Sequence, residues 1–237
     1  QDSEAKVFVA HERFGDACKK AAAELDFAPE RRFAVGKIDG FRPFAELSAG
    51  QPDTTPGDRA AGAVMNYTSG TTGRPKGVRR PLPPIDPDIA ATLGTGFFAM
   101  FGVKAEDGNV HLCGSPLYHT AVLVFSSTSL HFGHAVVLME RWTPELCLEA
   151  IQKYRVSTSH MVPTQFHRLL ALPEDVRKRY DVTSTRCMVH AAAPCPVDVK
   201  RRMIEWWGPA ICEYYAATEG GGTLVGAEEW MTKPGTV

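Results

Sequence analysis

The sequence predicts an α/β fold: alternating strands and helices, with largely parallel sheets and helices packed on them. Three observations predict it. Short β-branched runs alternate with longer stretches of helical periodicity along most of the chain. The spacing of that alternation accommodates βαβ crossovers, which bring each strand back parallel to the last. Two polar, glycine-rich segments follow predicted strands, where ligands bind in open α/β sheets.

The elements follow in order. Val7–Ala10 (VFVA) reads as a strand and Glu12–Leu25 as an amphipathic helix. Arg32–Gly36 is a strand and Phe41–Ser48 a short helix. Gln51–Arg59 is polar with two prolines and a glycine, so it is a surface connector. Ala63–Tyr67 is the strand that enters the glycine-rich loop Tyr67–Val78. Arg79–Asp88 holds four prolines and is excluded from helix. Helices are then expected at Ile89–Phe101, Ala121–Phe132, Pro144–Tyr154, Pro163–Leu172 and Val197–Trp207. Pro144 sits in the first turn of its helix, where its missing N–H costs nothing. The strands between them are Asn109–Cys113, Ala135–Met139, Ser157–Met161, Arg186–His190 and Ala210–Tyr214, and Glu213–Gly222 is read as a second loop.

Composition narrows the function. The chain has 237 residues, 44% of them hydrophobic, and a formal net charge of −1. That length buries a core without staples, and that charge offers no field for nucleic acid or for an acidic tail. Basic clusters such as Arg177–Arg179 and Lys200–Arg202 read as solvated faces. The six cysteines form no CxxC and no framework, so they read as reduced, mostly buried thiols of a cytoplasmic protein. His131 and His134 have a ligand-like spacing but no second pair nearby, which argues against a metal there. Ile89–Val103 is the most apolar segment. It is too short to span a membrane and carries three glycines, so membrane contact is at most peripheral. Nothing in the composition decides the oligomeric state.

The first loop, YTSGTTGRPKGV, carries the chemistry. Gly70, Gly73 and Gly77 permit positive φ and close backbone approach. Consecutive N–H groups then form an anion-binding nest. Thr68, Ser69, Thr71 and Thr72 add hydroxyls, and Lys76 adds a point charge. Charge-assisted hydrogen bonds of this kind contribute about 1.5–3 kcal/mol each, so a few hold a triphosphate. It is not a Walker loop, because Lys76 follows Pro75 and precedes Gly77 where that motif has a serine or threonine. The second loop, EYYAATEGGG, offers Tyr214 and Tyr215 as flat rings for a base. Thr218 offers a donor for a phosphate, and Glu219 a carboxylate for magnesium.

Together these loops resemble the adenylate-forming enzymes: acyl- and aryl-CoA synthetases, luciferases and peptide-synthetase adenylation domains. YTSGTTGRPKGV resembles their phosphate loop, and YAATE (Tyr215–Glu219) their Y-G-x-T-E motif with Ala216 for the usual glycine. Between and after them lie PLYHTA, VPTQFHRLL, HAAAPCP and KPGTV, in the family's order, with Ala191 and Ala192 where its G-G-A-P turn has glycines. The resemblance runs from about Ala63 to Val237 and is most like a fatty-acid–CoA ligase. It implies that Thr68, Ser69, Gly70, Thr71, Thr72, Gly73 and Lys76 close over the β- and γ-phosphates of ATP. It implies that Tyr215 stacks on adenine, with Ala192, Ala193 and Pro194 lining the adenine side. Thr218 then meets the α-phosphate, Glu219 binds Mg2+, and His119 lies near the acyl group. The implied small-molecule substrates are a carboxylic acid, ATP and coenzyme A.

The family's longer enzymes continue into a hinge and a small C-terminal domain. The chain is therefore expected to be part of an N-terminal, ATP- and acyl-binding domain, with the C-terminal domain absent and negligible turnover alone. The apolar run HTAVLVFSS fits a hydrophobic acyl pocket. Two other readings remain: adenylation of an aryl or amino acid for a carrier-protein thiol, and a non-catalytic nucleotide-binding module. His111, His131, His134 and His160 read as structural, Cys195 as packing without a partner base, and Trp206–Trp207 as core or interface.

Overall fold

A computed structural model describes residues 3–68, 75–82, 84–217 and 220–237. The chain forms two compact units, Gln1–Arg59 with Tyr67–Gly77, and Ala60–Asn66 with Val78–Val237.

In the smaller unit, β1 (Phe8–His11), β2 (Arg32–Val35) and the two-residue β3 (Arg42–Pro43) form a parallel sheet in that order. Helix α1 (Gly15–Glu24) follows a 3₁₀ turn at Glu12–Phe14. Ala10, Ala34 and Ile38 make a small core with Phe8, Cys18 and Phe41 against it. Gly36 is required where it stands: its φ is +84°, and a Cβ there would lie 2.3 Å from the carboxyl carbon of Glu12. That carboxylate accepts from the Lys37 backbone N–H at 2.9 Å. The helix expected at Phe41–Ser48 is instead β3 followed by a 3₁₀ turn at Phe44–Leu47, because Pro43 disfavours the α conformation at the preceding Arg42. Residues 51–59 have no helix or strand and are exposed throughout, as a connector should be.

β4 (Asn66–Thr68) and β5 (Lys76–Val78) form a two-stranded sheet at the two ends of the glycine-rich loop. The strand expected at Ala63–Tyr67 thus begins three residues later, and the C-terminal end of the loop is itself a strand.

The larger unit is built on a six-stranded sheet. Its members are β6 (Val110–Cys113), β7 (Ala135–Leu138), β8 (Thr158–Met161), β9 (Cys187–His190), β10 (Ile211–Ala217) and β11 (Gly220–Val225). The order across it is β11-β10-β9-β8-β6-β7, parallel throughout except for β11 on β10. The stretch expected to be a loop, Glu213–Gly222, is largely the antiparallel pair β10–β11. The aromatic and β-branched content of Tyr214, Tyr215, Thr223 and Val225 suits a pleated surface.

Helices α2 (Pro87–Ala99) and α3 (Thr120–His131) cover one face. Phe98 and Phe125 meet Cys187 and Val189 there, with Cys212 and Tyr214 at the margin. Helices α4 (Pro144–Tyr154), α5 (Pro163–Leu170) and α7 (Val197–Trp207) cover the other. Leu148, Ile151, Phe166, Leu169, Met203 and Trp207 pack on Leu112, Met161, Met188 and Ile211. Fully burying such a side chain contributes roughly 1.5–3 kcal/mol, so this face is the main core. Helix α2 starts at Pro87, just inside the stretch excluded from helix. Proline is acceptable at the first helical position, and the Asp86 carboxylate caps it by accepting from the Asp88 N–H at 2.8 Å. The short helices α6 (Glu174–Arg177) and α8 (Ala227–Thr232) have no counterpart in the sequence reading. Among the described residues no helix is long and apolar enough to cross a membrane.

Candidate functional site

Parallel strands all present their C-terminal ends to one edge of a sheet. In the larger unit β7 lies on one side of β6 and β8 on the other, so the strand order reverses at β6. Ligands bind at such a switch point because the loops there part and leave a crevice. The candidate residues cluster on that edge. Residues 114–119 follow β6, Val162 follows β8, Ala191–Pro194 follow β9, and Tyr215 lies near the end of β10. Gln165 joins two of these ends: its amide oxygen accepts from Val162 N–H at 3.0 Å, and its amide nitrogen donates to the Gly114 carbonyl at 3.4 Å.

His119 is the N-cap residue of α3 and is exposed, with its ring centroid 4.8 Å from that of Tyr118. Ala192, Ala193 and Pro194 are exposed in the turn between β9 and α7. Ala192 has φ +74°, the left-handed region where glycine is at ease and alanine is strained. Tyr215 is 67% exposed, so its ring is free to meet a ligand face. Its neighbour Tyr214 points the other way into the α2–α3 layer, and its hydroxyl is 3.1 Å from His160 Nε2. Burial pushes the Tyr214 phenol up to about 12. Burial, and after it the charge of His119, pull His160 down to about 4. His160 is therefore a neutral imidazole at the root of the site.

Ala216 and Gly222 face each other across β10–β11. A Cβ on Gly222 would lie 2.6 Å from the Tyr215 carbonyl oxygen and 3.1 Å from the Ala216 Cβ. The bare backbone at 222 makes room for the methyl group at 216. The Cys195 thiol is pushed up to about 11 by burial and by the nearby Glu213 carboxylate, so it is a packed thiol and not a thiolate. His134 is buried, with Nε2 2.8 Å from the Lys104 carbonyl and 3.1 Å from Asp107 Oδ1, whereas His131 is exposed. Among the described residues no three His, Cys, Asp or Glu side chains are grouped to hold a metal.

The edge of the larger sheet thus brings together Ala192, Ala193, Pro194 and Tyr215 on adjacent strands, with His119 on the same edge. Lys76 is exposed at the first position of β5, and Thr68 ends β4. Ser69, Gly70, Thr71, Thr72 and Gly73, and likewise Thr218 and Glu219, lie outside the described residues. The smaller unit has a crevice of about 420 Å³ lined by three acidic and three basic side chains, including Glu12 and Lys37, a balance that favours neither sign of ligand. Sequence reasoning missed a buried ion pair beside the Ala191–Pro194 turn, Lys200 Nζ to Glu213 Oε2 at 2.5 Å. A signal for it existed: Lys200, Met203 and Trp207 share the i, i+3, i+7 spacing of one helix face.

The family model of AMP-binding enzymes matches residues 1–237, the whole chain. The chain belongs to that family. It is 31% identical to a 4-coumarate–CoA ligase of Pinus taeda over 167 residues, which are 68% of the chain and 29% of that protein. It is 29% identical to a long-chain-fatty-acid–CoA ligase of Bacillus subtilis over 180 residues, 74% of the chain and 30% of that protein. The chain therefore spans under a third of these two relatives. The N-terminal domain of FACL13 from Mycobacterium tuberculosis superposes with a TM-score of 0.73 at 20% identity, over 98% of the chain and 56% of that structure. At that identity the likeness speaks for the fold. An AMP-binding family member with a largely parallel α/β sheet is what the sequence predicted.

Proposed function

We propose that the full-length protein carrying this chain activates a carboxylic acid with ATP and passes the acyl group to coenzyme A. A carboxylate oxygen forms a bond to the α-phosphorus as the bond to the β-phosphate oxygen breaks, and pyrophosphate leaves with the electron pair. The thiol sulfur then attacks the acyl carbon, AMP leaves, and the thiol proton goes to water. The observation that carries this reading is the exposed Tyr215 ring at the end of β10, one strand from the exposed Ala192–Pro194 turn, in a chain of the AMP-binding family. An exposed aromatic ring at the C-terminal edge of a parallel sheet suits a purine.

In this reading Tyr215 stacks on adenine and Ala192, Ala193 and Pro194 border it. Thr68, Ser69, Gly70, Thr71, Thr72, Gly73 and Lys76 hold the β- and γ-phosphates. Thr218 meets the α-phosphate, Glu219 holds Mg2+, and His119 borders the acid. The metal, when bound, neutralises charge on the phosphate oxygens. Fixed donors supply the rest without reorganising during the reaction. The acid is taken to be a fatty acid, supported by the apolar run HTAVLVFSS and by the name of the Bacillus relative. An aryl acid is the second reading, favoured by the name of the Pinus relative. We place the chain within a larger N-terminal domain, and the protein in the reducing cytoplasm on the strength of its six free thiols.

The test is a panel of aliphatic and aryl acids offered to the full-length protein with ATP, Mg2+ and coenzyme A, read as thioester by mass. Fatty acyl thioesters are expected. Aryl thioesters alone favour the second reading, and no thioester from any acid contradicts both.

A further inference from the structure

We infer that Lys200 and Glu213 are positioning residues for the nucleotide base: their buried ion pair closes a ring of segments that holds the Ala191–Pro194 turn and the Tyr215 ring in register. The inference rests on the adenylate-forming reading of this edge.

The ring is traced through the chain. β9 ends at His190, the turn follows, and α7 starts at Val197. Lys200 lies in the first turn of α7, where its N–H donates to the Pro196 carbonyl at 3.0 Å. Its side chain is fully buried, and Nζ lies 2.5 Å from Glu213 Oε2 and 4.8 Å from the centre of the Trp230 ring on α8. Glu213 is on β10, and its register partner on β9 is His190, the residue from which the turn departs. β9, turn, α7, ion pair and β10 therefore close on themselves. Tyr215 lies two residues beyond Glu213 on the same face of β10, about 6.7 Å further along the strand. The ion pair thus sits directly below the ring proposed to stack on adenine.

His190 adds an independent observation. It is fully buried, and neither ring nitrogen has a hydrogen-bond partner. Its Nε2 stops 3.6 Å from Glu213 Oε2, too long for a hydrogen bond. Glu213 is drawn instead onto Lys200, which leaves His190 as a packed ring against Phe166 with centroids 5.1 Å apart. A core built for stability alone does not need this arrangement, because apolar groups of the same volume hold such a site as well or better. What an ion pair supplies beyond packing is a fixed registry between the elements that carry it, α7 and β10 here. Both flank the turn, whose strained Ala192 needs surroundings that over-determine it.

The test uses the full-length protein with AMP, GMP and inorganic pyrophosphate as calorimetric ligands. The wild type is expected to prefer AMP to GMP. Lys200→Met strands a buried carboxylate and risks misfolding, so the deciding variant is the double Lys200→Met/Glu213→Gln, which removes both charges at similar volume. It should melt cooperatively, bind AMP about tenfold more weakly and lose most of the AMP-over-GMP preference. Its pyrophosphate affinity should stay within about twofold of wild type. Lys200→Arg, which keeps the charge, should retain the base preference. A folded double variant with wild-type AMP affinity and base preference overturns the inference. So does a loss shared equally by AMP and pyrophosphate, which marks general loosening. A wild type that prefers AMP yet shows no acid-dependent pyrophosphate exchange defeats the proposed function and leaves this inference to the base ratio. A wild type that does not bind AMP defeats both.

Discussion

Ala192 carries a cost that glycine at the same place does not. A non-glycine residue in the left-handed region is strained by about 1–2 kcal/mol, while glycine gives back about 0.5–1 kcal/mol through its freer unfolded chain. Ala192→Gly is therefore expected to raise stability by roughly 0.5–1 kcal/mol in urea melts, and a lower midpoint would contradict the strain at φ +74°. His111 makes a second residue-scale prediction. It is fully buried, with Nδ1 3.0 Å from Thr158 Oγ1, and burial pulls it from 6.5 to about 3. Below pH 6.5 the unfolded chain takes up a proton that the folded chain refuses, so stability falls as pH drops from about 6.5 toward about 3. Each such group contributes a slope of about 1.4 kcal/mol per pH unit, and His160 and His190 act in the same direction. His111→Leu leaves Thr158 bonded to Asn109 Nδ2 at 3.1 Å. It should flatten the slope between pH 4 and 6 by about one proton, measured as urea midpoints at stepped pH; an unchanged slope would show that His111 does not titrate on unfolding. Residue type alone does not say which of these groups are buried. His111 and His160 read as structural from residue type, whereas their lowered pKa values come from burial between the sheet and Phe125 of α3.

The elements of the larger unit were legible because period and punctuation agree. Helix α4 begins where Thr143 and Pro144 require, and the Thr143 hydroxyl accepts from Leu146 N–H at 3.2 Å. Thr143→Ala should cost about 1 kcal/mol, read by thermal or urea melts; a change near zero would mean the cap is not formed in solution. The misread stretch, Glu213–Gly222, shows where local signals fail. Its glycines look like loop residues, yet Gly222 lacks a side chain because a neighbouring strand's backbone occupies that space. Gly222→Ala puts a methyl group 2.6 Å from the Tyr215 carbonyl, a backbone atom with no freedom to retreat. A cost of roughly 1–3 kcal/mol is expected, together with weaker AMP binding through the displaced Tyr215; full stability with unchanged AMP affinity would contradict the contact. Sequence spacing does not report such cross-strand proximity, so β11 was invisible while its partner β10 was not.

For the whole molecule, alternation of strand and helix was enough to announce a parallel sheet, since short crossovers have few other solutions. The reversal of strand order at β6 was not readable, because it depends on which side β8 joins. Parallel pairing gathers residues 119, 192–194 and 215 onto one edge from distant parts of the chain, and the reversal parts the loops there. The ion pair between α7 and β10 was only half legible: Lys200 shares the buried face of its helix with Met203 and Trp207, but nothing local marks a glutamate 13 positions on as its partner. The most direct measurement of the central claim is acid-dependent exchange of labelled pyrophosphate into ATP by the full-length protein, compared with its Lys76→Ala variant. Exchange should require the acid and slow by about 10²–10³-fold in the variant. Exchange at an unchanged rate in Lys76→Ala would contradict the claim.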